Sequence, residues 1–177
     1  MQSPVVLYRA PEKTAARSRR CAMNIEGLWI DRDDLCSAVG QCGSGTITVH
    51  ECQWDKFSNP CRMWIIGSRS RINSHVRKWH PRSCADKMAT CLWDGCTTSK
   101  AMLKDSLNRH VLTVHLGEGF YCHGCNQVFS RNDVYNLHIQ RVESCRNASF
   151  AMVYGTEQRV VDTYQALRLG TTVRYAD

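Results

Sequence analysis

Cysteine and histidine recur in a fixed order three times between residues 52 and 145, and this recurrence constrains the chain more than any other feature. The first set is Cys52-x8-Cys61-x13-His75-x4-His80 and the second is Cys91-x4-Cys96-x13-His110-x4-His115. The third is Cys122-x2-Cys125-x12-His138, with Cys145 following after six residues. Two cysteines on a short hairpin can aim both thiolates at one point. Two histidines four or five apart on a helix bring both imidazoles to the same point. The expected result is a closed tetrahedral shell. Mixed thiolate and imidazole ligation with no open position suits zinc better than copper or iron, so three zinc ions are expected. A module of about 25 residues buries too little apolar surface to fold alone, and metal binding has to supply the stability.

The fourth ligand of the third set is open at this level. Cys145 lies farther from His138 than the usual spacing of three to five residues. Either it folds back past the helix end and completes the shell, or it is an unliganded thiol and water or another group takes the place. Apolar support accompanies each set: Ile66 and Ile72 before His75, Ala101 and Leu107 before His110, Phe129 and Tyr135 before His138. The second pair is the smaller, and Met102 or Leu103 is expected to make up for it.

Composition narrows the class further. Eleven cysteines is an odd total, which fits full disulfide pairing poorly. No apolar run near the N-terminus reads as a signal peptide, and none approaches the ~18 residues of a membrane span. A reducing, intracellular setting is expected, where thiols serve metals or catalysis. The charge is +7, with 23 Lys and Arg against 16 Asp and Glu, a balance that attracts polyanions without specifying a fold.

The three modules resemble Cys/Cys/His/His zinc fingers. The first two also carry tryptophan two residues after the leading cysteine, Cys52-Gln53-Trp54 and Cys91-Leu92-Trp93. That feature resembles the paired-tryptophan fingers of the GLI, Zic and PacC-type regulators. By that resemblance Trp54 and Trp93 pack on each other and lock two fingers into one unit; otherwise each covers its own finger. The stretch from His115 to Tyr121 is similar to a linker between DNA-binding fingers, with Gly117-Glu118 and aromatic Phe120 and Tyr121 but without the usual lysine and proline.

In a finger that reads DNA, helix positions −1, 3 and 6 face bases. Counting back from the first ligand histidine gives Arg131, Val134 and Leu137 in the third module, with Asp133 placed to brace Arg131. The second module presents Leu103, Ser106 and Arg109, and the first Ser68, Arg71 and Ser74, with Arg69 alongside. Arginine can grip guanine bidentately. Residues 62–82 hold six basic residues and no acid, a surface suited to phosphate, and Lys100 and Lys104 extend it. Expected contacts to nucleic acid are therefore Arg69, Arg71, Lys104, Arg109, Arg131 and Asp133. Arg131 and Arg109 are the better base readers, because the first of two paired fingers in the resembling family often serves packing.

The fold class expected is small zinc-stabilised α+β, with tandem ββα fingers. A tail spans 1–50, mostly irregular and poorly ordered, with a short strand at Thr46–Val49 and a buried turn around Ile25, Leu28, Trp29 and Ile30. Fingers follow at 51–82, 90–117 and 120–146. The segment 147–177 carries one amphipathic helix near 157–169, capped by Thr156, ended by Gly170, with Val160, Val161, Tyr164 and Leu167 on one face. The function expected is zinc-dependent binding of double-stranded DNA in transcription regulation, in the nucleus. Arg17-Ser18-Arg19-Arg20 is a short basic signal for import. A protein-interaction module is the alternative, and no membrane or small-molecule substrate is expected. An enzyme is not expected: catalytic zinc needs an open position, which only the third set could offer, near His123 and Glu143. Of the remaining thiols Cys21, Cys36, Cys42 and Cys84, the pair Cys36 and Cys42 could join His50 in a partial metal site; the other reading leaves all four as spare thiols.

Overall fold

The structure, a computed structural model, describes residues 20–40, 45–81, 87–169 and 173–175 of the chain. Expectations for the tail before residue 20, for Cys42, Arg82 and Cys84, and for Gly170 as a helix stop lie outside the described residues.

Residues 21–40 and 45–50 are ordered, mostly as strand and helix, where an irregular tail was expected. β1 (Cys21–Ile25) and β2 (Leu28–Asp31) form a hairpin with Met23 opposite Ile30 and Asn24 opposite Trp29. Glu26 and Gly27 both take positive φ, the twist a two-residue hairpin needs, and the Gly27 N–H donates to the Asn24 side chain. α1 (Arg32–Val39) follows without a loop, because the Asp31 carboxylate accepts from the Asp33 and Asp34 amides and caps the helix. Ile25 and Ile30, read from sequence as a turn, are buried strand positions. This correction has a simple cause: a four- or five-residue strand shows little periodicity until a neighbouring strand declares which face is inside.

β3 (Thr46–Glu51) and β4 (Trp64–Ile66) pair antiparallel, with Val49 opposite Ile66 and Glu51 opposite Trp64. α2 (Arg69–Trp79) follows, N-capped by the Ser68 hydroxyl. β5 (Met88–Ala89) and β6 (Met102–Leu103) form a short pair before α3 (Lys104–His110). β7 (Gly119–Cys122) and β8 (Val128–Phe129) precede α4 (Asn132–Arg141). Each cysteine and histidine set thus sits on two antiparallel strands followed by a helix. A further strand, β9 (Phe150–Val153), pairs with the other edge of β7.

The C-terminal segment departs from expectation. Residues 159–162 form β10 (Arg159–Asp162), paired antiparallel with β3, and only then does α5 (Thr163–Leu169) begin. Asp162 caps it by accepting from the Tyr164 and Gln165 amides; Thr156 instead donates to the Leu116 carbonyl. Val160, Tyr164 and Leu167 are exposed, whereas Val161, Thr163 and Ala166 are buried. Two adjacent valines suit a half-buried strand at least as well as a helix, and the free edge of β3 decides the matter. β11 (Val173–Tyr175) pairs with β1.

The long sheet runs β10-β3-β4-β2-β1-β11, with β2 and β4 parallel at Ile30 and Trp64 and the other neighbours antiparallel. N-terminal, first-module and C-terminal segments therefore share one sheet. Its core is Met23, Ile25, Ile30, Leu35, Ala38, Ile47, Val49, Val161 and Ala166. Leu35 is fully buried on α1. Leu35→Ala is expected to lower unfolding free energy by about 2–5 kcal/mol in chemical denaturation; an irregular tail would give no change.

Candidate metal centres

The ligand atoms of each set converge. Cys52, Cys61, His75 and His80 have their four atoms within 4.8 Å of one another, as do Cys91, Cys96, His110 and His115, and Cys122, Cys125, His138 and Cys145. All five histidines point Nε2 inward. The sulfur-to-nitrogen distances are 3.6 Å for Cys52–His80, 3.5 Å for Cys61–His75, and 3.4 Å for Cys91–His115, Cys96–His110 and Cys125–His138. A tetrahedral zinc with ordinary bond lengths has S···N edges of about 3.6 Å, so the three sets fit three zinc ions. Cys145 is fully buried among its set, so every set offers four side chains placed to ligate an ion.

The chain reaches this geometry in three ways, because the fourth residue of each set, five or seven positions past the first histidine, lies too far along for an ordinary helix. Five residues of α-helix rotate by about 140° beyond a full turn, which would aim the two imidazoles apart. In the first module α2 stops at Trp79, and His80 leaves helical geometry (φ −124°, ψ 54°) to swing its ring back. In the second the helix continues but widens: Val111–His115 is a π turn, with the Leu116 amide donating to the Val111 carbonyl at 2.9 Å. The wider winding brings positions five apart to one face, and the His110 and His115 Nε2 atoms lie 3.1 Å apart. In the third, α4 ends at Val142 in extended geometry, and the 3-10 turn Glu143–Cys145 carries the sulfur back.

Local electrostatics divide the thiols: Cys61 and Cys122 are shifted toward thiolate, while Cys52, Cys91 and Cys145 are shifted away from it. The Trp54 amide hydrogen-bonds the Cys52 sulfur and the Trp93 amide that of Cys91. Without a cation, the thiol of Cys52 donates to Cys61, which pulls Cys61 down to about 2 and pushes Cys52 well above its ordinary value. Burial pushes Cys91 up to about 12. At Cys122 burial also works upward, but the Cys125 and Gly124 amides, with His138 and Cys125, outweigh it and bring the thiol to about 6. Burial holds His110 and His115 below the usual imidazole range, which favours the neutral ring that binds metal.

Trp54 and Trp93 form an antiparallel bridge between the first two modules, flanked by bonds from the Asp55 amide to the Leu92 carbonyl and from the Asp94 amide to the Gln53 carbonyl. Both indoles are buried in one core with Ile65, Ile72, Val76, Leu107, Val111, Leu112 and Leu116. Of the expected support, Ile72, Leu107, Phe129 and Tyr135 face their sites. Ile66 is turned to the long sheet and Ile65 takes its place, while Ala101 is exposed and Met102 packs in its stead.

The residues expected to meet nucleic acid separate into two groups. Arg69, Arg109 and Arg131 are exposed and Lys104 is half-buried. Asp133 braces Arg131 through two bonds, Nε to Oδ1 at 2.9 Å and an Nη to Oδ2 at 2.5 Å. Arg71 is different. Its guanidinium lies 3.1 Å from the Asp34 carboxylate of α1, so it is not presented as a base reader. Two turns further on pairs of this kind continue: Lys78 lies 2.8 Å from Asp31 and 2.7 Å from Asp33, and the Trp79 indole donates to Asp31 at 2.9 Å. Burial, with Asp31 adding to it, raises the Asp34 carboxyl against the pull of Arg71. Burial opposes the charge on Lys78, but its bonds to Asp31 and Asp33 prevail and raise it. This carboxylate clamp was missed in sequence; its signal was Asp31, Asp33 and Asp34 at a helix start, legible as a cap but not as a partner for α2.

His50 belongs to no metal-ligand group among the described residues. It is buried against Tyr154, with Nδ1 3.3 Å from the Glu157 carbonyl, and Cys36 is exposed. Comparisons with protein-family models, curated proteins and solved structures found no match to this chain. Elemental analysis of the reduced protein is expected to give three zinc per chain. Cys145→Ser is expected to weaken only one of the three, by more than about 100-fold in chelator competition.

Proposed function

We propose that this chain is a zinc-dependent nucleic-acid-binding protein that engages double-stranded DNA through its second and third modules, as tandem zinc fingers in nuclear transcription regulation. The observation that carries this reading is the contrast between the three helices. Arg71 and Lys78 of α2 are held by Asp31, Asp33 and Asp34, whereas α3 and α4 present Arg109 and Arg131 to solvent. The braced Arg131 is poised for a bidentate contact to a guanine edge, and the charge of +7 supports attraction to phosphate. The first finger is then a joint to the long sheet, and a site of about two finger lengths, roughly 6 base pairs, is the footprint.

A second reading draws on one observation. Val134 and Leu137, on α4, are 42% and 43% exposed, and an apolar pair there suits a protein partner. Fluorescence anisotropy with duplex oligonucleotides over a salt series separates the two. Steep salt dependence is expected, with Arg109→Ala and Arg131→Ala each costing about 1–3 kcal/mol and Arg71→Ala leaving affinity unchanged. Binding that ignores salt and both arginines would sink the DNA reading.

A further inference from the structure

β4 has three residues and two cores. Ile65 faces the core around the first two metal sites, while Trp64 and Ile66, on the opposite face, pack on the core of the long sheet. Alternation along a strand makes this division unavoidable. Among the described residues the same strand is the link in the sheet order between β10-β3 and β2-β1-β11. It lies between Cys61 and His75, two ligands of the first site. Its parallel pairing to β2 is a single residue pair, Ile30 with Trp64, so the hydrogen-bonded ladder alone holds the two halves weakly.

α2 supplies the rest of the connection. Arg71 and Lys78 reach the α1 carboxylates, and Trp79 packs with Ala22 and Met63 while bonding Asp31. Lys78 and Asp31 are 10% and 4% exposed, so removing one partner would strand the other charge away from water. Both β4 and α2 are held in place by the first metal shell, in a module too small to fold on apolar burial. The third module has no such share: its strands form a separate sheet, β8-β7-β9.

We propose that the ion bound by Cys52, Cys61, His75 and His80 is the folding switch of the six-stranded sheet, so that zinc loss at this one site disorders the hairpin β1–β2 and strand β10, which contribute no ligand. The proposal rests on the reading of the sets as zinc sites, and the test separates the two.

Hydrogen exchange with mass spectrometry on the full chain, zinc-loaded, compares Cys61→Ser with Cys125→Ser, each with its zinc content measured. Cys61→Ser is expected to lose one zinc and to speed exchange in peptides 21–31 and 159–166 by about tenfold or more, with 119–129 still protected. Cys125→Ser is expected to do the reverse. Protection of 21–31 and 159–166 in a Cys61→Ser chain that has lost one zinc would overturn the switch. So would loss of protection everywhere, 119–129 included, because the effect would then not belong to one site. A wild-type chain without zinc would instead overturn the metal reading itself.

Discussion

A tetrahedral shell tolerates ligand atoms only about 3–4 Å apart, and the rest of this structure is arranged around meeting that limit three times. The backbone bends to suit the metal geometry in each case. A helix stops one residue early at His80, winds wide between His110 and His115, or breaks at Val142 so that Cys145 can return. These are costly local conformations in isolation, and each is justified by the ligand it delivers. The π turn also sets Val111 and Leu112 against the tryptophan core, so the departure from α geometry helps pack the two modules together.

The first two modules behave as one body because their smallest parts touch. The bridge between Trp54 and Trp93 joins the two cysteine loops through backbone bonds, and the indoles seal a core that neither module could build alone. Leu116 closes that core, and its carbonyl accepts from Gly155 and Thr156, which ties the segment after the third module back to the second. Tyr154 does the same for the first, donating to the Gly67 carbonyl at 2.9 Å.

Charge is distributed according to the same logic. Basic residues on α2 that face α1 find buried or half-buried carboxylates, and their role is structural. Arg109 on α3 and Arg131 at the start of α4 are exposed. Which basic residues of a helix stay exposed is thus decided by what the rest of the chain lays across its outer face. Here the carboxylates of α1 take up Arg71 and Lys78, so part of the most basic stretch of the sequence is turned to structure while Arg62, Arg69 and Arg77 stay exposed.

By itself the sequence determined the metal-compatible clusters: twelve cysteine and histidine residues in order, their grouping into three, the aromatic pair at Trp54 and Trp93, and the apolar residues Ile72, Leu107, Phe129 and Tyr135 beneath the sites. Ligand spacing and side-chain type are local properties, and coordination geometry leaves few ways to satisfy them. The tertiary structure alone decided that β1, β2, β3, β10 and β11 belong to one sheet, because strand pairing joins segments more than a hundred residues apart and leaves only short, ambiguous patterns in each. It also decided that Ile65 rather than Ile66 faces the metal, that Val160 and Val161 are strand, and that Arg71 meets Asp34. Each of these depends on which surface a neighbour covers, and burial of that kind is written in the contact between segments, not in either segment alone.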